Sequence, residues 1–451
     1  MDIKKYIILN NSSIRQSIKK IDENKGGFIL VSNDNNQIIG IVTDGDIRRG
    51  LLKNHDLNQN IETCLNSDFL YVNSDFSYEN IYKKLDDKIS FIPVLDDKNE
   101  LVSIITKDNI PLRFEKETYA RAKSPVRISF GGGGSDTTSY FKDNNGAVIN
   151  STISMYSHST LYLRNDKKIC IDSLDLEKKI EYKNIEDLKI KDEFKLINAL
   201  IKTINPEFGF NLIIQSDFPK SSGLGGSSAV LSAIIGCFNE FRKDKWTLYE
   251  MAEISFEAER LHLGISGGWQ DQYATVFGGF NFIEFRADEN IVFPMRLTNK
   301  IICELEESLI LCYTNTNHDS NLIHENQKSN TSNIEVNKNI KSNVNLTYEM
   351  RKFLLKGDLA QLGKSLDKSW DYKKSFSYKI SNNYLDEIYN EAKSNGALGG
   401  KLLGAGGGGY FLFFVSPKNR NNLISWIDNN NLEYIPFTFE DKGLQSWSIR
   451  K

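Results

Sequence analysis

Three segments of the 451-residue chain crowd glycine next to residues able to do chemistry: SPVRISFGGGGSD at 124–136, PKSSGLGGSSA at 219–229 and KLLGAGGGGYFLFFV at 401–415. The middle segment is the most telling. Its glycines let the main chain pass close to a ligand and reach positive φ, and it runs straight into the apolar stretch SAVLSAIIGCF. The first N–H groups of a helix have no internal partner and carry partial positive charge. A bare loop opening a helix is therefore a cradle for phosphate. The alternative is a turn packed tightly for structural reasons.

Familiar nucleotide motifs do not account for these segments. A Walker A loop needs G-x-x-x-x-G-K-[ST]. Lys401 follows Gly400, but Asn395 stands where the first glycine belongs and Leu402 follows the lysine. Gly404, Gly406 and Gly409 spell G-x-G-x-x-G, yet the strand-like YFLFFV comes next instead of a helix. The H-R-D and D-F-G signatures of protein kinases are absent.

The elements that must position these loops are set by length and composition. A chain this long exceeds one ordinary core, so two or three domains are expected. Hydrophobic residues make up 40% and charged residues 25%, the range of soluble globular proteins. A net charge of −3 gives no sign of nucleic acid or an anionic membrane as partner. The five cysteines are scattered and form no CxxC, which argues for buried apolar side chains over disulfides or zinc. The start, MDIKKYIILNNSSIRQSI, lacks a signal-peptide apolar core, and no apolar run approaches membrane-spanning length. A cytoplasmic enzyme is the expectation.

Residues 1–115 read as a unit of their own. GGFILVSNDNNQIIGIVTDGDIRRGLL is strand, turn, strand and helix, and ISFIPVLDDKNELVSIITKDNIP repeats the plan. Each copy has an apolar run, an acidic turn (Asn33–Asn36, Asp96–Asn99), a second apolar run, and a threonine followed by an aspartate. Two copies imply an internal pseudo-dimer. The pattern resembles a CBS-domain pair. That resemblance implies an adenine nucleotide as ligand, with Thr43 and Asp46 of the first copy's G-h-h-T-x-x-D, opened by Gly40, as the regulatory-nucleotide residues. The second copy departs from the motif, with Ser103 and Asn109 at its outer positions. The alternative is a pair used for docking or dimerisation, which makes a homodimer one expectation.

After a charged linker and first strand (RFEKETYARAKSP), residues 120–300 and 301–451 read as two mixed α and β halves. The polar stretch Asn315 to Asn343 is expected to be partly helical or a loop over a site.

The three glycine segments, in order, resemble the motifs of the GHMP small-molecule kinases over roughly residues 120–451. The second motif carries one additional residue: Pro219, Gly223, Leu224, Gly225, Gly226, Ser227, Ser228 and Ala229. That longer form is similar to fucokinases and heptose 7-phosphate kinases. The resemblance implies an α+β fold, with an N-terminal half like domain 2 of ribosomal protein S5 and a ferredoxin-like C-terminal half. It implies ATP on the 219–229 loop and Mg²⁺ on Ser228 and Glu259, with Glu257 as the fallback. It makes Asp271 of GGWQDQ and Arg127 the catalytic pair, although aspartate is also a favoured helix cap. Arg127 and Asp136, nine positions apart, match the sugar kinases' arginine and sugar-binding aspartate. Gly133 and Gly134 replace the Glu-His of galactokinases, which disfavours galactose and leaves room for a bulkier sugar. Gly406 and Gly407 are expected against substrate. Lys373, in SWDYKKSF, is expected against a substrate that already bears phosphate, since a basic group is needed there.

The activity implied is transfer of phosphate from ATP to the anomeric hydroxyl of D-glycero-D-manno-heptose 7-phosphate, for nucleotide-activated heptose and surface glycans. The alternatives are a fucokinase or other sugar-1-kinase and, in another class, a nucleotide-sensing regulator with an inactive kinase fold.

Overall fold

The computed structural model describes residues 3–74, 78–85, 89–106, 118–190, 193–220, 222–316, 323 and 333–450. Asp108 and Asn109 of the second repeat, and most of the polar stretch after Asn315, lie outside these. The chain divides into two units, Met1–Glu115 and Lys116–Lys451.

In the first unit the repeat is visible in the strand pairing. Ile7–Leu9 pairs parallel to Phe28–Ser32, which pairs antiparallel to Ile38–Thr43. Val72–Asn73, Phe91–Leu95 and Leu101–Thr106 pair in the same sense. The acidic turns have the same construction. Asn33 and Asp96 each accept from two backbone N–H groups ahead of them. Asn36 and Asn99 each adopt positive φ, which asparagine tolerates. Phe28 stacks on Phe91 with ring centroids 3.4 Å apart, joining the two copies. Thr43 and Asp46 form a reciprocal cap on the helix Asp44–Leu52, the Thr43 N–H donating to Asp46 Oδ2 at 2.9 Å.

In the second unit an eight-stranded sheet is built on the long strands Thr118–Gly131 and Gly146–Arg164, which pair antiparallel. The helix Gly226–Phe241 packs on both strands and is buried nearly all round, as its unbroken apolar sequence requires. A four-stranded antiparallel sheet runs Ala397–Leu402, Tyr410–Val415, Leu309–Tyr313, Glu433–Ile435. The helices Ile334–Lys356 and Leu359–Lys374 pack together, and the second lies on Ala397–Leu402. A Cβ on Gly399 would stand 2.2 Å from Gly363 O, so that approach needs glycine. One apolar core joins both sheets.

One strand crosses the expected division at residue 300. The strand Gln445–Arg450 leaves the C-terminal half and pairs antiparallel with Thr118–Lys123 at the open edge of the first sheet. Its ladder satisfies an edge that would otherwise expose unpaired backbone groups. Four cysteines are buried as expected, but Cys303 is exposed. Among the described residues no helix is long and apolar enough to cross a membrane.

Candidate active site

The phosphate loop is held by its own side chains and by the first motif. Leu224 is fully buried and anchors it, while Gly223 and Gly225 both sit at φ +77°. Gly226 opens the helix, and a Cβ there would meet the Phe218 ring at 2.5 Å. Arg127, 3% exposed, is aimed into the loop from the strand Thr118–Gly131. Its Nη1 donates to Gly223 O at 2.7 Å, and its backbone N–H donates to Leu224 O at 2.9 Å. The rest of the guanidinium grips Asp271, with Nε to Oδ1 at 2.7 Å and Nη2 to Oδ2 at 2.8 Å. This two-pronged pair is geometrically specific. A Cβ on Gly225 would stand 3.3 Å from Asp271 Cγ, so the loop and the carboxylate are in near contact. Each Asp271 oxygen keeps a lone pair for an incoming hydroxyl.

Asp136 lies beside this pair. Its Oδ1 accepts from the Gly134 N–H at 3.0 Å and its Oδ2 from the Gln270 N–H at 3.3 Å. Burial, and then the Asp271 charge, raise its carboxyl above the usual range, against the pull of these N–H groups. The turn that closes over it must be glycine, since a Cβ on Gly268 would fall 1.8 Å from Asp136 Oδ2.

The acidic candidates separate cleanly. The helix Leu248–Phe256 widens into a π-type turn at Glu257–His262, a feature frequent at functional sites. Glu259 is 2% exposed and faces the cavity, whereas Glu257 is exposed and pairs with His262 at 3.2 Å. Glu259 Oε1 accepts from Ser227 Oγ at 2.7 Å and Oε2 from Gln272 Nε2 at 2.8 Å. Here the helix phase favours the serine before the expected one. Ser228 Oγ is buried, has no hydrogen-bond partner among the described residues, and its residue does not line the cavity. Consecutive helix positions differ by about 100°, and the helix start turns Ser227, not Ser228, toward Glu259. One hydroxyl and one carboxylate suit Mg²⁺, which keeps most of its shell for water and phosphate, so Ser227 and Glu259 are the fitting pair.

In the third glycine loop the lining residues differ from the expected ones. Gly404 and Ala405 line the cavity; Gly406 and Gly407 do not. A Cβ on Gly406 would strike Ile380 at 2.9 Å, and the Gly407 N–H donates to Ile380 O at 2.8 Å. Gly404, at φ +64°, packs backbone to backbone on the phosphate loop, where its Cβ would meet Gly223 Cα at 2.5 Å. Gly404→Ala combines this clash with the about 1–2 kcal/mol that alanine loses at positive φ. It is expected to lower kcat/KM about 100-fold, since misplacing the loop by about 1 Å has that effect, and to lower the melting temperature by a few degrees. Kinetics and a thermal melt check this; wild-type kinetics would show that the contact does not position the loop.

Lys373 lines the cavity, but its Nζ donates to Leu402 O at 2.8 Å and Gly404 O at 2.6 Å. These two bonds make it a brace for the third loop. Burial, then Lys401 and Arg127, hold its ammonium well below the ordinary lysine range. Lys401, seen in the sequence only as a failed Walker lysine, is 2% exposed, with Nζ 3.4 Å from Phe130 O. Burial and the Arg127 charge push it down to about 7.

A cavity of about 1280 Å³ opens here. Arg127, Asp136, Asp271, Glu259, Gly133 and Gly134 line it, as do the apolar side chains of Leu176, Phe194, Ile197, Ile214, Phe218 and Val230, interleaved with Asp175, Glu193, Lys195 and Lys220. The glycine loop contributes Pro219, Gly223, Gly225, Gly226 and Ser227 to the wall, while Leu224 and Ala229 turn into the core. Apolar surface, a glycine cradle and charged groups in one cavity suit the base, phosphates and reacting end of a nucleoside triphosphate.

Comparison with known proteins gives the family. The model of the GHMP kinases N terminal domain matches residues 193–279, that of the GHMP kinases C terminal region 350–429, and that of the CBS domain 3–53 and 61–110. The D-glycero-alpha-D-manno-heptose 7-phosphate kinase of Campylobacter jejuni is 37% identical over 338 residues, 73% of this chain and 99% of that protein. The L-fucokinase/L-fucose-1-P guanylyltransferase of Bacteroides fragilis is 27% identical over 361 residues, 72% of this chain and 38% of that protein. A crystal structure of a D-glycero-D-manno-heptose 1-phosphate kinase from Bacteroides thetaiotaomicron superposes with a TM-score of 0.62 at 31% identity, covering 74% of this chain and 100% of that one. The chain thus belongs to the GHMP kinases, ATP-dependent phosphotransferases, as a sugar kinase with CBS domains at its amino-terminal end.

Proposed function

We propose that the chain transfers the terminal phosphoryl group of ATP to the anomeric hydroxyl of D-glycero-D-manno-heptose 7-phosphate, giving the 1,7-bisphosphate and ADP. The observation that carries this is the Arg127–Asp271 pair, bound through Gly223 to the phosphate loop and flanked by Asp136. The similarity to the Campylobacter heptose 7-phosphate kinase supports the sugar.

Asp136 accepts hydrogen bonds from the sugar's hydroxyls. Asp271 orients the anomeric hydroxyl and receives its proton as the oxygen–phosphorus bond forms and the bond to ADP breaks. An anomeric hydroxyl is more acidic than an ordinary alcohol, so a carboxylate suffices. Arg127 offsets negative charge at the reacting oxygens. Mg²⁺, when held by Ser227 and Glu259, supplies charge neutralisation on the phosphates. In the first unit, Thr43 and Asp46 are our proposal for an adenine nucleotide contact.

The test is ADP release from ATP and Mg²⁺ with a panel of acceptors: heptose 7-phosphate, heptose 1-phosphate, unphosphorylated heptose, fucose and galactose, each with and without AMP. Turnover of heptose 7-phosphate above all others is expected, with a rate that changes on adding AMP. Preferred turnover of fucose would keep the sugar kinase and remove the heptose phosphate. Product carrying new phosphate at C7 would reverse the assignment of the two ends.

A further inference from the structure

The active-site cavity adjoins a side chamber that no role above uses. It holds about 250 Å³ and shares Gly134, Thr137, Arg260, Ile265, Ser266 and Phe376 with the main cavity. Phe256, Val336 and Ile340 form an apolar wall. Thr137, Thr138, Ser139 and the turn Gly264–Gly267 form a polar one. Among the described residues lining it, Arg260 is the one charged group.

The Arg260 guanidinium is held but poorly satisfied. Nη1 lies 3.4 Å from Ile265 O and 3.2 Å from Ser266 O, and Nη2 lies 3.4 Å from Gly268 O and 3.5 Å from Glu259 Oε2. Charge-assisted bonds are normally about 2.7–2.9 Å. Its Nε is buried with no partner among the described residues. Space for the guanidinium is built into the sequence: a Cβ on Gly267 would stand 2.5 Å from Arg260 Cζ. Thr138 Oγ1 accepts from Trp269 Nε1 at 3.0 Å, which turns its own O–H to donation elsewhere.

The two glycines of this turn serve two side chains. Gly268 makes room for Asp136 and Gly267 for Arg260. Gly267 and Gly268 are adjacent, so the turn that touches Asp136 also touches Arg260. Lys373 is not available there, being engaged with Leu402 O and Gly404 O.

We propose that the side chamber receives the phosphate monoester already carried by the acceptor sugar, with the Arg260 guanidinium as counter-charge and the Thr138 hydroxyl as a further donor. This rests on the sugar-phosphate reading above. A planar guanidinium fork matches phosphate oxygens in a way an ammonium does not, so Arg260→Lys is a selective probe.

The experiment measures kcat and KM for heptose 7-phosphate, unphosphorylated heptose and ATP in wild type, Arg260→Lys and Thr138→Val. Thr138 is exposed, so its variant keeps the measurement in hand if Arg260→Lys fails to fold. Arg260→Lys is expected to raise KM for heptose 7-phosphate about 30-fold. KM for ATP and kcat/KM for the unphosphorylated sugar are expected to stay within about twofold. Thr138→Val is expected to shift the same KM about fivefold. A rise in KM for ATP alone would assign Arg260 to the nucleotide and overturn the proposal; so would equal losses on both acceptors. A wild-type enzyme that prefers the unphosphorylated sugar is a different failure, that of the substrate reading itself.

Discussion

Asp271→Asn is expected to lower kcat about a thousandfold and to destabilise the kinase unit by on the order of 3 kcal/mol. The first effect follows from losing the carboxylate that orients the hydroxyl and takes its proton, a role worth about 10²–10⁴ in rate. The second follows from Arg127, only 3% exposed and bonded to both Asp271 oxygens. Asparagine offers one oxygen and turns an NH₂ group against a guanidinium N–H. Breaking a buried pair from one side leaves an uncompensated charge, at about 3–5 kcal/mol when burial is complete. The Asp271 side chain is 22% exposed, which tempers the cost. The double variant Arg127→Met, Asp271→Asn separates the two effects. Removing both partners of a buried pair is often near neutral, so stability returns while the rate stays low. A double variant that regains rate with stability would reduce the pair to a structural tie.

Lys401→Met is expected to stabilise the protein below pH 7, with a gain that shrinks as pH rises. In the folded state Lys401 is pushed down to about 7 from 10.5, by burial and then by Arg127. Between those values the unfolded chain binds a proton that the native lysine has released, so stability rises with pH across that window. Below pH 7 both states are protonated and the full cost is present. That displacement corresponds to on the order of 5 kcal/mol. Asp136 moderates the cost, while Lys373 shares the same buried region. Methionine removes the charge and gives up a 3.4 Å contact to Phe130 O, worth about 1 kcal/mol. Chemical denaturation from pH 6 to 10.5 should therefore show the variant ahead at pH 6 and level or slightly behind at the top. A constant difference would mean that the lysine does not titrate in that window.

Features carried by local sequence were legible before the structure. The front repeat could be seen because each copy has the same turn residues, and Asn36 and Asn99 reach the same positive φ. The phosphate loop could be found because only a run of glycine and serine tolerates Gly223 and Gly225 as they sit. Arg127, Asp136 and Asp271 meet on one wall, as a family pattern of spacing implied. Helix phase was not legible. Nothing in SGLGGSSA says whether Ser227 or Ser228 faces the carboxylate, because that depends on where the helix begins, at Gly226. The fate of a lysine was not legible either. Lys373 looked like an anion ligand and is occupied by two carbonyls that approach only when the third loop folds back. Arg260 had a signal that went unread, the paired glycines of ISGGW, but its meaning needs the distances of side chains far apart in sequence.

The strand Gln445–Arg450, which closes the first sheet against Thr118–Lys123, sets an order on synthesis. The front unit, Met1–Glu115, leaves the ribosome with the strand pairings of its described residues all internal and can fold early, as N-terminal domains generally do. The strand Thr118–Gly131 emerges next and then waits for Gln445–Arg450 to be made before its outer edge is paired. An open edge during translation is a site for wrong pairing between chains. The first sheet is closed only when Gln445–Arg450 clears the exit tunnel, so a nascent chain carries a folded front unit well before it carries a closed first sheet.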